Sequence, residues 1–243
     1  MGGLSQDGWS PPWRLCRWVG IVRGVTSVND IVRTESSEDV RVLLVDDHQA
    51  VRQGLHTMLE CEAGLVAAGF ASDSREALAL AADVGPDVVL LDYHLPDEDG
   101  LSLCLRLKAF DPPPRVLIYS AFADDMLGLL AAVAGADGLV GKGSLADELC
   151  EALRAVARGE SLLGPPSPAT MQRAASALAT EDLPIIGMLI HGTPAPEIAE
   201  TLGVAETWLI PRRWAILERL RGGPSRRSGP RRAMAATPAG SSL

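Results

Sequence analysis

The sequence predicts a doubly wound α/β fold, a five-stranded parallel sheet in 2-1-3-4-5 order, joined to a small all-helical domain. Three observations carry this expectation. From Arg41, apolar runs short enough for strands alternate five times with longer helical patterns. Runs such as Val88-Val89-Leu90-Leu91 are apolar throughout, as a strand is when both its faces are covered. Between residues 178 and 221 only helical patterns remain.

Taken in order, residues 1–40 are rich in Gly, Ser and Pro, hold Trp9, Trp13 and Trp18, and show no steady period. A disordered leader is expected there, with a docking segment as the alternative. Strands are expected at 41–45, 65–70, 87–91, 115–119 and 137–141, and helices at 50–60, 73–84, 100–109, 124–134 and 145–158. Asp73 with Glu76, and Ser144 with Asp147, have capping-box spacing. Gly85, Gly135 and Gly159 stand where a left-handed helix cap is wanted. This first domain is expected to span 41–159. Gly164, Pro165, Pro166 and Pro168 mark a linker over 160–177 that ends in a helix. Residues 222–243 are too poor in apolar side chains to bury a core and read as a disordered tail.

Composition narrows the function classes. Residues 41–160 carry 9 basic and 20 acidic side chains, whereas 178–243 carry 8 basic and 6 acidic. An acidic body with a mildly basic end suits a regulator whose small module approaches an anionic partner, although a solvated arginine-bearing tail fits the same counts. Aromatic residues are only 4% of the chain, so the core must be mainly aliphatic. Cys16, Cys61, Cys104 and Cys150 form no metal-ligand pattern and read as thiols of a reducing compartment. No apolar run reaches the roughly 18 residues that span a bilayer. Arg14, Arg17 and Arg23 interrupt the N-terminal apolar segment, so no secretory signal is expected and a cytoplasmic location is.

In an open α/β sheet, ligands bind beyond the carboxyl ends of the strands. Strand one ends in Asp46-Asp47, strand three in Asp92, strand four in Ser120 and strand five in Lys142; strand two, an edge strand, offers no such group. Three carboxylates so close repel one another at low dielectric. A hard divalent cation with oxygen ligands, for which magnesium is suited, removes that conflict and neutralises phosphate oxygens. An aspartate is a competent nucleophile for phosphoryl transfer, with a lysine and a hydroxyl to meet the phosphate. Alone, an Asp-Asp pair is often a helix cap and a lysine is usually solvated. Offsets of 45, 28 and 22 residues between Asp47, Asp92, Ser120 and Lys142 put all of them at strand ends together.

The segments Val42-Leu43-Leu44-Val45-Asp46-Asp47-His48, Leu90 through Gly100, Ile118-Tyr119-Ser120-Ala121 and Gly141-Lys142-Gly143 resemble receiver domains of two-component response regulators, a flavodoxin-like fold. The resemblance implies Asp92 as phosphoacceptor. It implies a Mg2+ site formed by Asp46, Asp47, Asp92 and the backbone carbonyl of His94. It further implies phosphate contacts from Ser120 and Lys142, with Ala121 small enough to leave room. It also implies a histidine kinase as phosphodonor. Pro96 and Gly100 match the loop that shapes the site. The family usually places an aromatic switch residue three positions before the lysine; here that residue is Leu139, so ring rotation cannot report phosphorylation. His48 and His94 raise a transition-metal site, but His48 begins a loop and His94 is implied through its carbonyl.

Residues 178–221 resemble the helix-turn-helix output domain of LuxR/NarL-type regulators through Leu178, Ile185, Ile186, Leu189, Gly192, Glu197-Ile198-Ala199, Leu202-Gly203-Val204, Glu206, Leu209, Ile216-Leu217 and Leu220. The third helix should begin near Glu206 and present Trp208, Ile210, Arg212 and Arg213 to DNA. Base readout needs donors and acceptors, and Ile210 and Pro211 supply none. Pro211 is expected beyond the first turn, where it costs about 3 kcal/mol. Arg213 falls on the apolar face, four residues after Leu209. Arg212, Arg213, Arg219 and Arg221 suit nonspecific phosphate contact.

The expected function is a response regulator: phosphorylation of Asp92 changes how the receiver holds the C-terminal helices, or favours a homodimer, and so alters transcription. It is not expected to be an enzyme beyond assisting its own phosphorylation and dephosphorylation. The alternative is a phosphorelay or protein-interaction module whose helix-turn-helix no longer reads DNA. A phosphohydrolase would need a second Asp two residues after Asp92, where His94 stands.

Overall fold

The computed structural model describes residues 39–222. At its centre is one parallel sheet in the order β2-β1-β3-β4-β5, formed by β1 Val40–Val45, β2 Leu65–Ala71, β3 Val88–Asp92, β4 Arg115–Ser120 and β5 Gly138–Gly141. Helices α1 Gln49–Cys61, α2 Ser74–Val84, α3 Gly100–Leu107, α4 Asp125–Ala134 and α5 Ala146–Ala157 cover it. Each expected strand and helix is therefore present, within two residues of its expected ends. The expected leader and tail, with Cys16 and the first three tryptophans, lie outside the described residues.

The apolar strands bury both faces. Leu43, Val45, Val89, Leu91, Val116 and Ile118 pack with α2, α3 and α4, while Val42, Leu44, Val88, Leu90 and Leu117 pack with α1 and α5. Because side chains alternate along a strand, adjacent residues of one run enter opposite cores. Cys104 and Cys150 are buried and Cys61 is exposed; burial pushes the Cys104 thiol up to about 12.

Two caps depart from the expected pairs. Asp73 accepts from the Glu76 amide, but the Glu76 carboxylate reaches the Ser72 amide and hydroxyl instead of Asp73. Helix α5 starts one residue later than Ser144 implies: Leu145 is its cap residue and the Glu148 carboxylate accepts from the Leu145 amide. Gly85, Gly135 and Gly159 all take positive φ. Their left-handed turns end the helices and start the next strand or loop.

The C-terminal helices are α6 Pro168–Ala177, α7 Leu183–Ile190, α8 Ala195–Leu202 and α9 Leu209–Leu220, with short 3-10 turns at Thr180–Asp182 and Glu206–Trp208. The segment expected as linker thus carries α6 in its second half. Ser167 caps α6 and also bonds Asp125, the first residue of α4. Helices α7 and α9 lie against α4, and α9 also meets α3 and α6. Ile185, Ile186, Leu189, Ile198, Leu209, Ile216 and Leu217 join the core on the α3–α4 side of the sheet.

Pro211 is less disruptive than expected. The 3-10 turn takes up Glu206–Trp208, so α9 begins at Leu209 and Pro211 falls within its first turn. Amides there have no carbonyl partner inside the helix, so the missing N–H costs little. Pro196 occupies the first turn of α8, and Gly203 ends α8 at positive φ.

Candidate functional site

The rim residues converge because each sits at or just past the end of a strand of the same parallel sheet. Asp92 is the last residue of β3 and Ser120 the last of β4. Asp46 and Asp47 follow β1, and Lys142 follows β5. Asp46 and Asp92 are only 1% and 3% exposed, so their carboxylates sit inside the cleft, whereas Asp47 and His48 are open to solvent.

Lys142 ties the cleft together. Its Nζ donates to Asp46 Oδ2 at 2.7 Å and lies 2.8 Å from Asp92 Oδ2. Burial alone would depress the ammonium, but bonds to Asp46 and Asp92 hold its pKa above the ordinary lysine value. Tyr119 lies beneath it, with the ammonium 5.6 Å from the ring centre; burial raises the Tyr119 hydroxyl despite the nearby Lys142. The Ser120 hydroxyl is fully buried and close to the Phe122 backbone. Ala121 is exposed beside it, and Leu139 is half-buried, packed under the α4 side of the sheet.

Asp46, Asp47, His48 and Asp92 each offer an atom within 4.8 Å of the others, a group able to hold a metal ion. The donor set is dominated by carboxylate oxygen, which suits a hard divalent cation. His48 Nδ1 lies 2.5 Å from Asp47 Oδ1, so the imidazole already has a carboxylate partner. The His94 side chain is exposed, and its amide donates to Asp92 Oδ1 at 3.2 Å.

The loop from β3 to α3 is braced at several points. His94 and Asp99 form an antiparallel bridge, and the Gly100 amide donates to the Tyr93 carbonyl at 2.8 Å. A Cβ at Gly100 would collide with the Asp92 carbonyl oxygen, so the glycine lets α3 start directly against the acidic site. Asp97 accepts from the Ser74 amide and hydroxyl, tying the loop to α2; burial opposes its ionisation, yet these bonds keep its pKa below the ordinary carboxylate value. Asp99 caps α3 through the Leu101 and Ser102 amides. Sequence reasoning passed over Asp97 and Asp99. The cap was legible as an Asp immediately before Gly100; the bond to Ser74, 23 residues away, had no local signal.

The arginines expected to meet DNA are turned inward. Asp182 is fully buried between Arg212, whose Nη2 lies 2.6 Å from Oδ1 without hydrogen-bond alignment, and Arg219, which donates to Oδ2. Arg221 Nη2 donates to Asp99 Oδ1 at 2.6 Å. Arg213 is mostly buried over the end of α4: its Nη1 would be 2.6 Å from a Cβ at Gly135, and burial lowers its pKa. Trp208 and Ile210 remain on the surface, with the Arg212 guanidinium 5.6 Å from the Trp208 ring. Trp214 is half-buried against the core. No helix among the described residues is long and apolar enough to cross a membrane.

Residues 42–154 match the family described as response regulator receiver domain. The chain is 35% identical to the DNA-binding transcriptional activator DevR/DosR of Mycobacterium tuberculosis, over 69% of this chain and 82% of that protein. It is 36% identical to the transcriptional regulatory protein LiaR of Bacillus subtilis over 51% of this chain, spanning 59% of LiaR. Among solved structures, a LuxR-family two-component response regulator from Aurantimonas sp. SI85-9A1 is 33% identical, with 56% of this chain and 95% of that one covered and a TM-score of 0.49.

Proposed function

The chain belongs to the two-component response regulators, in which a receiver is joined to a LuxR/NarL-type helix-turn-helix domain, and from that premise we propose what its rim residues do. Asp92 is the phosphoacceptor. Asp46, Asp47, Asp92 and the His94 backbone carbonyl hold Mg2+, which when bound offsets the charge of the phosphate oxygens. The Asp92 carboxylate attacks the phosphorus of a phosphohistidine on a histidine kinase, or of a small acyl phosphate. The bond from phosphorus to the donor breaks, and the donor leaves with its electron pair. Lys142 then moves its hydrogen bonds from Asp46 and Asp92 to the phosphate, Ser120 donates to another phosphate oxygen, and Ala121 leaves space. The acceptor is part of the protein, so the chemistry changes its own state and not a pool of substrate.

The observation that carries this reading is the bridge from Lys142 to both Asp46 and Asp92, groups from three separate strand ends. Residues 41–159 act as the receiver, 160–177 as the connection and 178–221 as the output domain, in a cytoplasmic protein. Phosphorylation alters the hold of the receiver on α7–α9 or favours a homodimer, and thereby transcription. With Leu139 at the switch position, that change passes through another route. Incubation with Mg2+ and acetyl phosphate followed by intact mass tests the acceptor: the wild type gains one phosphoryl group and Asp92→Asn gains none. Equal labelling of both contradicts the assignment.

A second reading has one specific observation in its favour, the burial or pairing of all four arginines of the output helix region. On it, the helix-turn-helix is a protein-contact module. Equal affinity of the phosphorylated chain for related and random DNA, with steep salt dependence, supports that reading; strong preference for one operator supports specific DNA control.

A further inference from the structure

Arg221 lies 122 positions beyond Asp99 in the sequence, yet its Nη2 donates to Asp99 Oδ1 at 2.6 Å. The pair is not a loose surface contact. The two side chains are 20% and 33% exposed, and the only other carboxylate near the guanidinium among the described residues is Glu218, at 3.7 Å. Asp99 Oδ1 is also the atom that accepts from the Leu101 and Ser102 amides, and Oδ2 accepts from the Ser102 hydroxyl. One carboxylate therefore joins the end of α9 to the start of α3.

Asp99 is in turn locked to the acidic site. It forms the antiparallel bridge with His94, and the next residue, Gly100, donates to Tyr93 and packs against the Asp92 carbonyl. The path from Arg221 to His94 and Asp92 thus consists of two ion-paired side chains and one closed loop. A carboxylate held at both its oxygens fixes the rotation of the loop's end, and the bridge transmits that to the backbone at residue 94.

We propose that Arg221 is a positioning residue of the phosphorylation site: through Asp99 it sets the β3–α3 loop so that the residue 94 carbonyl meets the cation. This deepens the function proposed above and rests on it. It assigns the inward-facing end of the output helix a role toward the receiver. It also gives the chain a physical link between site and output that does not need an aromatic ring at position 139. Because coupling between two sites is reciprocal, a cation at the rim strengthens the hold on α9 by the same factor that α9 strengthens the cation.

The test uses the full chain, with Mg2+ followed by calorimetry and acetyl phosphate labelling followed by intact mass. Arg221→Gln should weaken Mg2+ binding roughly 5-fold, at the lower end of coupling between sites. The Mg2+ concentration for half-maximal labelling should rise by the same factor while the rate at saturating Mg2+ stays at the wild-type value. Asp99→Asn, which keeps a competent helix cap, should match it. Combining the two should add nothing, because both remove one interaction. Arg221→Lys should restore part of the affinity, which a merely structural loss would not allow. Unchanged Mg2+ affinity in Arg221→Gln, or additive losses in the double variant, overturns the proposal while Asp92→Asn stays unlabelled. Wild-type labelling of Asp92→Asn would instead remove the underlying reading, and this one with it.

Discussion

The rim of the sheet and the face of α9 both gather charge, but they settle it in opposite ways. At the rim, Asp46 and Asp92 share one Lys142, while Asp47, beside His48, faces solvent. The cleft keeps an excess of negative charge that is reachable from outside. On α9, Arg212 and Arg219 close on a fully buried Asp182, Arg221 closes on Asp99, and Arg213 is covered by the end of α4. Positive charge that a DNA-reading surface would leave for phosphates is consumed within the molecule. A ligand site is marked by charge left incompletely answered, and a packing site by charge answered internally. The same residue types in the sequence belong to both.

The contrast breaks most severely at Asp182. Asp182→Ala takes the shared carboxylate from Arg212 and Arg219. Because their side chains are 18% and 39% exposed, water meets part of the stranded charge, and the loss should be about 2 kcal/mol, below that of a fully buried pair. Urea unfolding should show that loss, together with faster proteolysis of 178–222, while Mg2+ binding at the rim persists. A loss below 1 kcal/mol would mean that the arginines are well solvated and free for DNA.

Arg213 sharpens the comparison in the other direction. Among the described residues its Nε has no hydrogen-bond partner and no carboxylate is paired with it, although the C-terminal end of α4 offers a negative dipole. Replacing a buried charge by an apolar side chain of similar length is often stabilising. Arg213→Met should therefore raise stability by about 1 kcal/mol in urea. A loss of that size would assign the guanidinium itself the docking of α9.

The smallest expected effect is a pH dependence at Lys142. Its pKa is raised in the folded protein above the unfolded value. The stabilisation is therefore complete below about pH 10.4 and is lost as the pH climbs through the folded value. Urea midpoints measured across this alkaline range should fall in the wild type, and Lys142→Met should remove that component. An identical alkaline fall in the variant would place the effect elsewhere.

Sheet order, every strand and helix of the receiver, and the convergence of Asp46, Asp92, Ser120 and Lys142 were legible because each depends on local pattern: apolar runs, caps and the residue after each strand. Gly100 was legible only through the family resemblance; that a Cβ there would strike the Asp92 carbonyl oxygen came from the structure. What the sequence hid was long-range pairing. Nothing near Asp182 marks it as the buried partner of Arg212 and Arg219, and nothing near Asp99 announces Arg221. Arg213 was half legible: its four-residue spacing from Leu209 set it on the apolar face, but the receiving surface at Gly135 belongs to a different domain. Pro211 was misjudged because a 3-10 turn moved the start of α9 by three residues, a shift that local pattern does not encode.

Calorimetric titration of the full chain with Mg2+ tests most directly whether the rim is a site awaiting a cation. Wild-type protein should take up one ion, and Asp47→Asn combined with Asp92→Asn should take up none. Absence of uptake by the wild type, or equal uptake by both, would contradict the account.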